Sequence, residues 1–167
     1  GEFSVETPAK LQSKTYYVGI KGDEVADYSH NYKLGTTTIK TTSFFLYDGA
    51  RADLAASDQA MTTSETYKTG LTDVPALNAG IQSRTFYTGE KSEEIANYSH
   101  NFGTLTGGAW GVKTTSFFYY DAGIDDNDTP LDPSDDIVRD PARATDANVS
   151  NESAMKRSDS YKGEFVT

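Results

Sequence analysis

The sequence has no cysteine, and only five prolines and two histidines among its 167 residues. Without cysteine the chain has no disulfide framework, no thiolate metal site and no cysteine nucleophile. No apolar run approaches the roughly 20 residues that a spanning helix needs, so we expect no membrane span. Basic residues are also few, with 15 Lys and Arg against 25 Asp and Glu, a formal net charge of −10. Because phosphates require a basic surface, this balance argues against a nucleic-acid partner.

What the sequence has instead is internal repetition. Residues 15–32 and 85–102 are identical at ten of eighteen positions, and residues 40–45 return unchanged as 113–118. In a third block, residues 60–68 share Ala-Met, Ser and Tyr-Lys with residues 154–162. Self-similarity of this kind predicts repeated structural units. We therefore predict one β repeat module at residues 1–69 and a second at residues 70–162.

One tripeptide also stands at both ends of the chain, as Gly1, Glu2, Phe3 and as Gly163, Glu164, Phe165. Residues 163–167 are therefore either the start of a third copy or a terminal strand exchanged between subunits. We expect an exchanged strand at the edge beside residues 13–20 or their twin, because an unpaired edge exposes backbone donors and acceptors. Such a head-to-tail contact predicts self-association into a homo-oligomer or polymer.

The composition, and the alternation of side chains between two faces along several segments, predict an all-β protein. Eleven Tyr and eight Phe, with abundant Thr and Ser, favour pleated strands. Strands are predicted at residues 13–20, 36–48 and 61–68, with twins at 83–89, 109–121 and 155–162. Residues 23–28 fit either a helical turn or an irregular strand. We expect two tandem, duplicated β-sandwich or barrel-like modules with antiparallel sheets, and strand exchange at the termini.

The second module carries an acidic insertion around residues 122–153. Its carboxylates repel one another unless water or a hard cation lies between them, and calcium accepts roughly six to eight oxygen ligands in flexible loops. The spacing matches no EF-hand, so a solvated loop and a calcium site both remain open. The candidate ligands are Asp125, Asp126, Asp128, Asp132, Asp135 and Asp136. We predict no other cofactor.

Four asparagines begin N-x-Ser/Thr sequons, which accept sugars in a secreted protein of a glycosylating host. The glycosylation candidates are Asn97, Asn148 and Asn151. The fourth sequon, at Asn127, is disfavoured by the proline that follows its threonine.

Both histidines occur in the tetrapeptide Tyr-Ser-His-Asn, as His30 and His100. We interpret them as structural residues whose rings bind a backbone carbonyl at a corner between strands. A metal or haem site shared by the two rings is the alternative. A catalytic group of Asp27, Ser29 and His30 is disfavoured, because neighbours along one strand rarely converge as nucleophile and base. We therefore predict no enzymatic activity.

Duplication, acidity, richness in Thr and Tyr, and the repeated ends indicate a structural subunit of an extracellular or virion-surface assembly. A filament, an appendage, a surface layer or a tail component would each fit. The alternative is a glycan- or calcium-binding module of a surface adhesin, in which exposed tyrosines stack on sugars. Both hypotheses place the protein outside the cell, or on a cell or virion surface.

Overall fold

The computed structural model describes residues 11–125, 134 and 136–165. In this part the protein is all-β and its paired strands run antiparallel, which confirms the predicted class. The chain divides into two compact units, residues 1–84 and 85–167. This division falls inside the strand Ile81–Thr88, whereas the repeats divide the sequence between residues 69 and 70.

The first unit is an antiparallel sheet. Its strands are β1 (Ser13–Val18), β2 (Val25–Tyr32), β3 (Ile39–Leu46), β4 (Thr63–Lys68) and the beginning of β5 (Ile81–Thr88). β2 pairs with β1 and β3, and β3 pairs in turn with β4. Residues 23–28, which the sequence left open between a turn and a strand, contain the start of β2.

The core of the first unit follows the alternation of side chains in β3. Thr42 and Phe44 are fully buried and Leu46 is nearly so, whereas the side chains between them are half-buried. A row of rings crosses the strands, with centroid separations of 4.5, 5.9 and 5.8 Å between successive members. The members are Tyr16, Tyr28, Phe44 and Tyr67. Cross-strand aromatic pairs of this kind stabilise a sheet beyond the area that they bury.

The second unit is built around one long strand. Its elements after β5 are β6 (Ile95–Thr104), β7 (Trp110–Tyr120), β8 (Ile124–Asp125), β9 (Ile137–Val138), β10 (Ala142–Arg143) and β11 (Met155–Lys162). β7 pairs with β6 and β11, while β10 pairs with its last two residues and β8 pairs with β9. A second ring row, with separations of 4.3, 5.9 and 5.9 Å, consists of Phe86, Tyr98, Phe117 and Tyr161.

Glycine is required at the same place in the β1–β2 and β5–β6 turns. Gly19 and Gly89 have φ of +117° and +118°, a backbone conformation that residues other than glycine rarely adopt. A Cβ on Gly19 would lie 2.5 Å from the carbonyl oxygen of Asp23, and one on Gly89 would lie 2.4 Å from that of Glu93. The turn backbone therefore passes too close for any larger residue.

Candidate functional site

His30 holds the chain segment that follows β4. Its Nε2 lies 2.7 Å from the carbonyl oxygen of Leu71 and donates a hydrogen bond to it. Thr42 completes the contact, because its Oγ1 donates to the carbonyl of Thr69 at 2.9 Å and accepts from the N–H of Leu71 at 3.0 Å. We call this arrangement, in which Thr42 and His30 hold residues 69–71, the first slot.

The second unit contains the same set of contacts. Nε2 of His100 lies 3.2 Å from the carbonyl oxygen of Phe165. Oγ1 of Thr115 donates to the carbonyl of Gly163 at 2.9 Å and accepts from the N–H of Phe165 at 3.2 Å. We call this arrangement, in which Thr115 and His100 hold residues 163–165, the second slot.

The two slots bind the main chain of their occupants. Residues 69–71 read Thr-Gly-Leu and residues 163–165 read Gly-Glu-Phe, so no position is identical. The hydrogen bonds nevertheless go to the same backbone groups in both segments. In both segments the first residue has positive φ, +79° at Thr69 and +97° at Gly163. A slot of this kind recognises the main chain and tolerates different side chains.

The prediction that the two histidines lie at corners was wrong. His30 lies inside β2 and His100 inside β6, each in a strand paired on at least one side. The other half of that interpretation, a ring bound to a backbone carbonyl, is what the structure contains. The corner was inferred from turn-forming residue types, which the pairing with Thr42 and Thr115 overrides.

The polar residues around His30 are engaged separately. Oγ of Ser29 contacts Oγ1 of Thr15 at 3.2 Å, and Asp27 forms an ion pair with Arg51. The catalytic group of Asp27, Ser29 and His30, which the sequence already disfavours, is not assembled in this structure. Nδ1 of His30 is buried without a hydrogen-bond partner. In the described ranges, no three His, Asp or Glu side chains come together as a metal site.

An arginine that sequence analysis missed covers the ring row of the first unit. Arg51 donates to both carboxylate oxygens of Asp27, at 2.6 and 2.5 Å, and its Nη1 lies 3.1 Å from Asp73. Its guanidinium carbon lies 4.7 Å from the ring centroid of Phe44 and 5.5 Å from that of Tyr28. The hydrogen bond to Asp27 raises the pKa of Arg51, and burial raises the pKa of Tyr28.

Arg143 has the same surroundings in the second unit, but with an amide in place of the carboxylate. Its Nε and Nη2 donate to Oδ1 of Asn97 at 3.1 and 2.7 Å, and its guanidinium carbon lies 4.3 Å from the ring centroid of Phe117. A repeated Ala-Arg-Ala, at residues 50–52 and 142–144, is the signal that would have revealed both arginines.

The alanines before these two arginines show where the acidic insertion lies. Ala50 forms a β-bridge with Tyr47, three residues earlier in the chain. Ala142 pairs with Tyr120, the residue that matches Tyr47, and the inserted residues lie between them. Of the six candidate calcium ligands, Asp125 forms an ion pair with Arg139 at 3.5 Å and Asp136 is exposed. The other four lie outside the described residues: Asp126, Asp128, Asp132 and Asp135. The calcium site stays a prediction.

The sequon asparagines occupy different surroundings. Asn97 is half-buried in β6, where Arg143 binds its amide oxygen. Asn148 and Asn151 are exposed in turns, and the side chain of Asn148 donates to Asp146 at 3.0 Å. Exposure is what glycosylation requires, so Asn148 and Asn151 remain the better candidates. Asn127 lies outside the described residues.

The last tyrosines of the two ring rows, Tyr67 and Tyr161, differ greatly in exposure. In β4, Tyr67 is fully buried and donates to Glu65 at 2.7 Å, and Glu65 in turn binds Arg84 of β5. In β11, the residue in the same sequence position is Tyr161, which is 45% exposed. Among the described strands, β11 pairs with β7 alone. No described strand lies beside its outer edge, where Tyr161 is an exposed aromatic side chain among charged and polar neighbours.

The terminal tripeptide lies at the end of this strand. The N–H of Gly163 donates to the carbonyl of Lys113 at 2.9 Å, and the Phe165 ring lies 5.6 Å from that of Tyr161. We expected residues 163–165 at the edge beside β1 or β5, but their hydrogen bonds go to β6 and β7. Gly1, Glu2 and Phe3 lie outside the described residues.

Comparisons with protein-family models, with curated proteins and with solved structures gave no match. Within the described ranges, no helix has the length and apolar character needed to cross a membrane.

Proposed function

We propose that the protein is a self-associating structural subunit of an extracellular or virion-surface assembly, built from two tandem copies of one β module. The duplication is supported by hydrogen bonds that recur at matching sequence positions. They involve His30 and His100, Thr42 and Thr115, and Tyr47 and Tyr120, whose hydroxyls donate to the carbonyls of Ala26 and Ala96.

The observation that carries the proposal is the exposure of Tyr161 on the outer edge of β11. The matching residue Tyr67 is fully buried, because β4 has a further strand beside it. Sheets normally pair, cover or charge their edges, and β11 carries charged side chains beside the exposed Tyr161. An edge that no described strand covers is a template for another chain. A module whose last strand keeps this edge is suited to receive a neighbour.

The proposed association is head to tail. β1 and β11 are different surfaces, so pairing one with the other on a second copy leaves one free edge of each kind. Contacts of this type close into rings or continue as fibres. Strand addition supplies main-chain hydrogen bonds and therefore needs few specific side chains.

The terminal tripeptide supplies a second route between copies. Residues 163–165 occupy the second slot, and residues 1–3 have the same sequence. We propose that residues 1–3 of one copy exchange with residues 163–165 of another. The first slot is filled by an internal segment and so takes no part in this exchange.

The test is the oligomeric state of the full chain at micromolar concentration, measured by light scattering and electron microscopy. Rings or polymers are expected, and a clean monomer would contradict the proposal. Deleting residues 1–8 tests the exchange, because it should weaken assembly while both units stay folded. Thr115→Val should weaken assembly too, whereas Thr42→Val should lower stability alone.

A glycan- or calcium-binding module of an adhesin is the second candidate. A shallow groove of about 940 Å³ in the first unit is lined by amide, aromatic and lysine side chains, which are groups that bind sugars. They include Gln12, Asn31, Tyr32, Lys40 and Gln82. Binding to a glycan array that is lost in Tyr32→Ala, by a protein that stays monomeric, would favour this candidate.

A further inference from the structure

We infer that β1 of a second copy pairs with β11 in the register in which β5 pairs with β4, with Lys14 of one copy facing Asp159 of the other. The inference rests on the proposed self-association and names the residues of the contact. Its partner is a second copy of this chain.

The template is the β4–β5 contact within the first unit. β5 is the hydrogen-bonded neighbour of β4. Nε of Arg84 lies 2.7 Å and its Nη2 lies 2.5 Å from Oε1 of Glu65, whose side chain is almost fully buried. Ile81, the first residue of β5, is 2% exposed. Tyr67 is fully buried and donates a hydrogen bond to Glu65, so the charged pair lies next to a buried aromatic residue.

β1 has the side chains that this template needs. Residues 11–14 read Leu-Gln-Ser-Lys, and residues 81–84 of β5 read Ile-Gln-Ser-Arg. Lys14 therefore stands where β5 has Arg84, and Leu11 where it has Ile81. Lys14 is exposed and forms no ion pair with any described residue. β1 pairs only with β2 among the described strands, and no described strand lies at its other edge.

β11 has the complementary side chains. Residues 159–161 read Asp-Ser-Tyr, and residues 65–67 of β4 read Glu-Thr-Tyr. Asp159 thus stands where β4 has Glu65, and Tyr161 where it has Tyr67. In the single chain, Asp159 forms an ion pair with an exposed neighbour in its own strand, Arg157, whose Nε lies at 3.2 Å. A strand added at this edge brings Lys14 to Asp159 and reduces the exposure of Tyr161.

Charge reversal tests this register. Lys14→Glu and Asp159→Lys each place like charges across the contact, and such pairs oppose association strongly. Each variant alone should lose about tenfold or more in association constant. In an equimolar mixture the two variants can alternate, and each contact then joins opposite charges, either the wild-type pair or the pair of the two substituted residues. The mixture should therefore assemble as the wild type does. The double variant Lys14→Glu/Asp159→Lys should assemble for the same reason.

Matched controls carry the same charge changes elsewhere. Lys33→Glu lies in the β2–β3 turn and Asp140→Lys follows β9, and both side chains are exposed. These variants should sediment and scatter like the wild type.

The outcomes separate the two proposals. Rescue in the mixture supports the register. If the wild type assembles and neither charge reversal weakens it, the register is wrong while self-association stands. If the wild type is monomeric at every concentration tested, both proposals fail. If the wild type assembles and each reversal weakens it without rescue in the mixture, Lys14 and Asp159 do not face each other and the register is again wrong.

Discussion

Arg143 binds the amide oxygen of Asn97 where Arg51 binds the carboxylate of Asp27. The guanidinium groups lie over matching rings, at 4.3 Å from Phe117 and 4.7 Å from Phe44. The two arginines differ in the charge of their partner. Hydrogen bonds between charged groups stabilise more than those with one neutral member.

Asn97→Asp should therefore stabilise the second unit. We expect a gain of about 1 kcal/mol in the free energy of unfolding, because a charged pair replaces a charge–amide contact. Urea unfolding at neutral pH measures it. The control is Asn101→Asp, which makes the same charge change in β6 at an exposed side chain whose partner is Thr114. An equal gain in both variants would assign the effect to something other than Arg143.

Replacing either histidine by Gln tests its structural role. The loss of the ring-to-carbonyl hydrogen bond should cost about 1–2 kcal/mol in stability. We expect the larger effect for His30, because its bond is shorter, at 2.7 Å against 3.2 Å. Differential scanning calorimetry gives the cost and metal analysis gives the ligand content. A bound metal or haem that disappears in His100→Gln would overturn the structural interpretation.

Gly19→Ala and Gly89→Ala should each destabilise the protein by about 3 kcal/mol, because the Cβ meets a carbonyl oxygen at a backbone conformation that alanine avoids. Gly35→Ala is the control. Gly35 also has positive φ, but a Cβ there has nothing within 4 Å. It should cost only about 1 kcal/mol. Equal losses at all three positions would mean that φ alone, and not the close approach, determines the cost.

Tyr67 should make the protein sensitive to alkali. Burial, followed by the hydrogen bond to Glu65, raises its pKa above the ordinary value of 10.0. Above pH 10 the unfolded chain therefore loses this proton while the folded chain keeps it, so stability is complete below that pH and falls above it. The slope for one group is about 1.4 kcal/mol per pH unit. We expect the free energy of unfolding, measured in urea between about pH 10.5 and 12, to fall less steeply with pH in Tyr67→Phe than in the wild type, by this amount. Parallel slopes would contradict the assignment.

The acidic insertion predicts calcium-dependent stability. If Asp125, Asp126 and Asp128 bind calcium, a chelator should lower the melting temperature, because a ligand bound only by the folded state stabilises it. The triple change to Asn should lower the melting temperature in calcium and leave it unchanged in chelator. Asp140→Asn is the control for the loss of charge. Identical melting with and without chelator would leave a solvated loop.

The strands were predictable because their signals are local. Alternation and β propensity act over about five to ten residues, and they located six strands to within a few residues: β1, β3, β4, β5, β7 and β11. The same reasoning failed for β2 and β6. The residue types in Tyr-Ser-His-Asn are typical of turns and so predicted corners. The strands form because they pair with β3 and β7, whose residues follow later in the chain.

By itself the sequence determined the all-β class, the positions of most strands and the repetition of motifs, since each of these depends on residue types and spacings along the chain. Only the tertiary structure decided which groups meet. His30 binds a carbonyl that is 41 residues away in sequence, and His100 binds one that is 65 residues away. Whether such distant groups meet depends on strand register. The tertiary structure also decided that Tyr67 is buried and Tyr161 is exposed. Their sequence neighbourhoods are alike, and the difference arises because β4 has a strand on each side whereas, in the described sheet, β11 has one only.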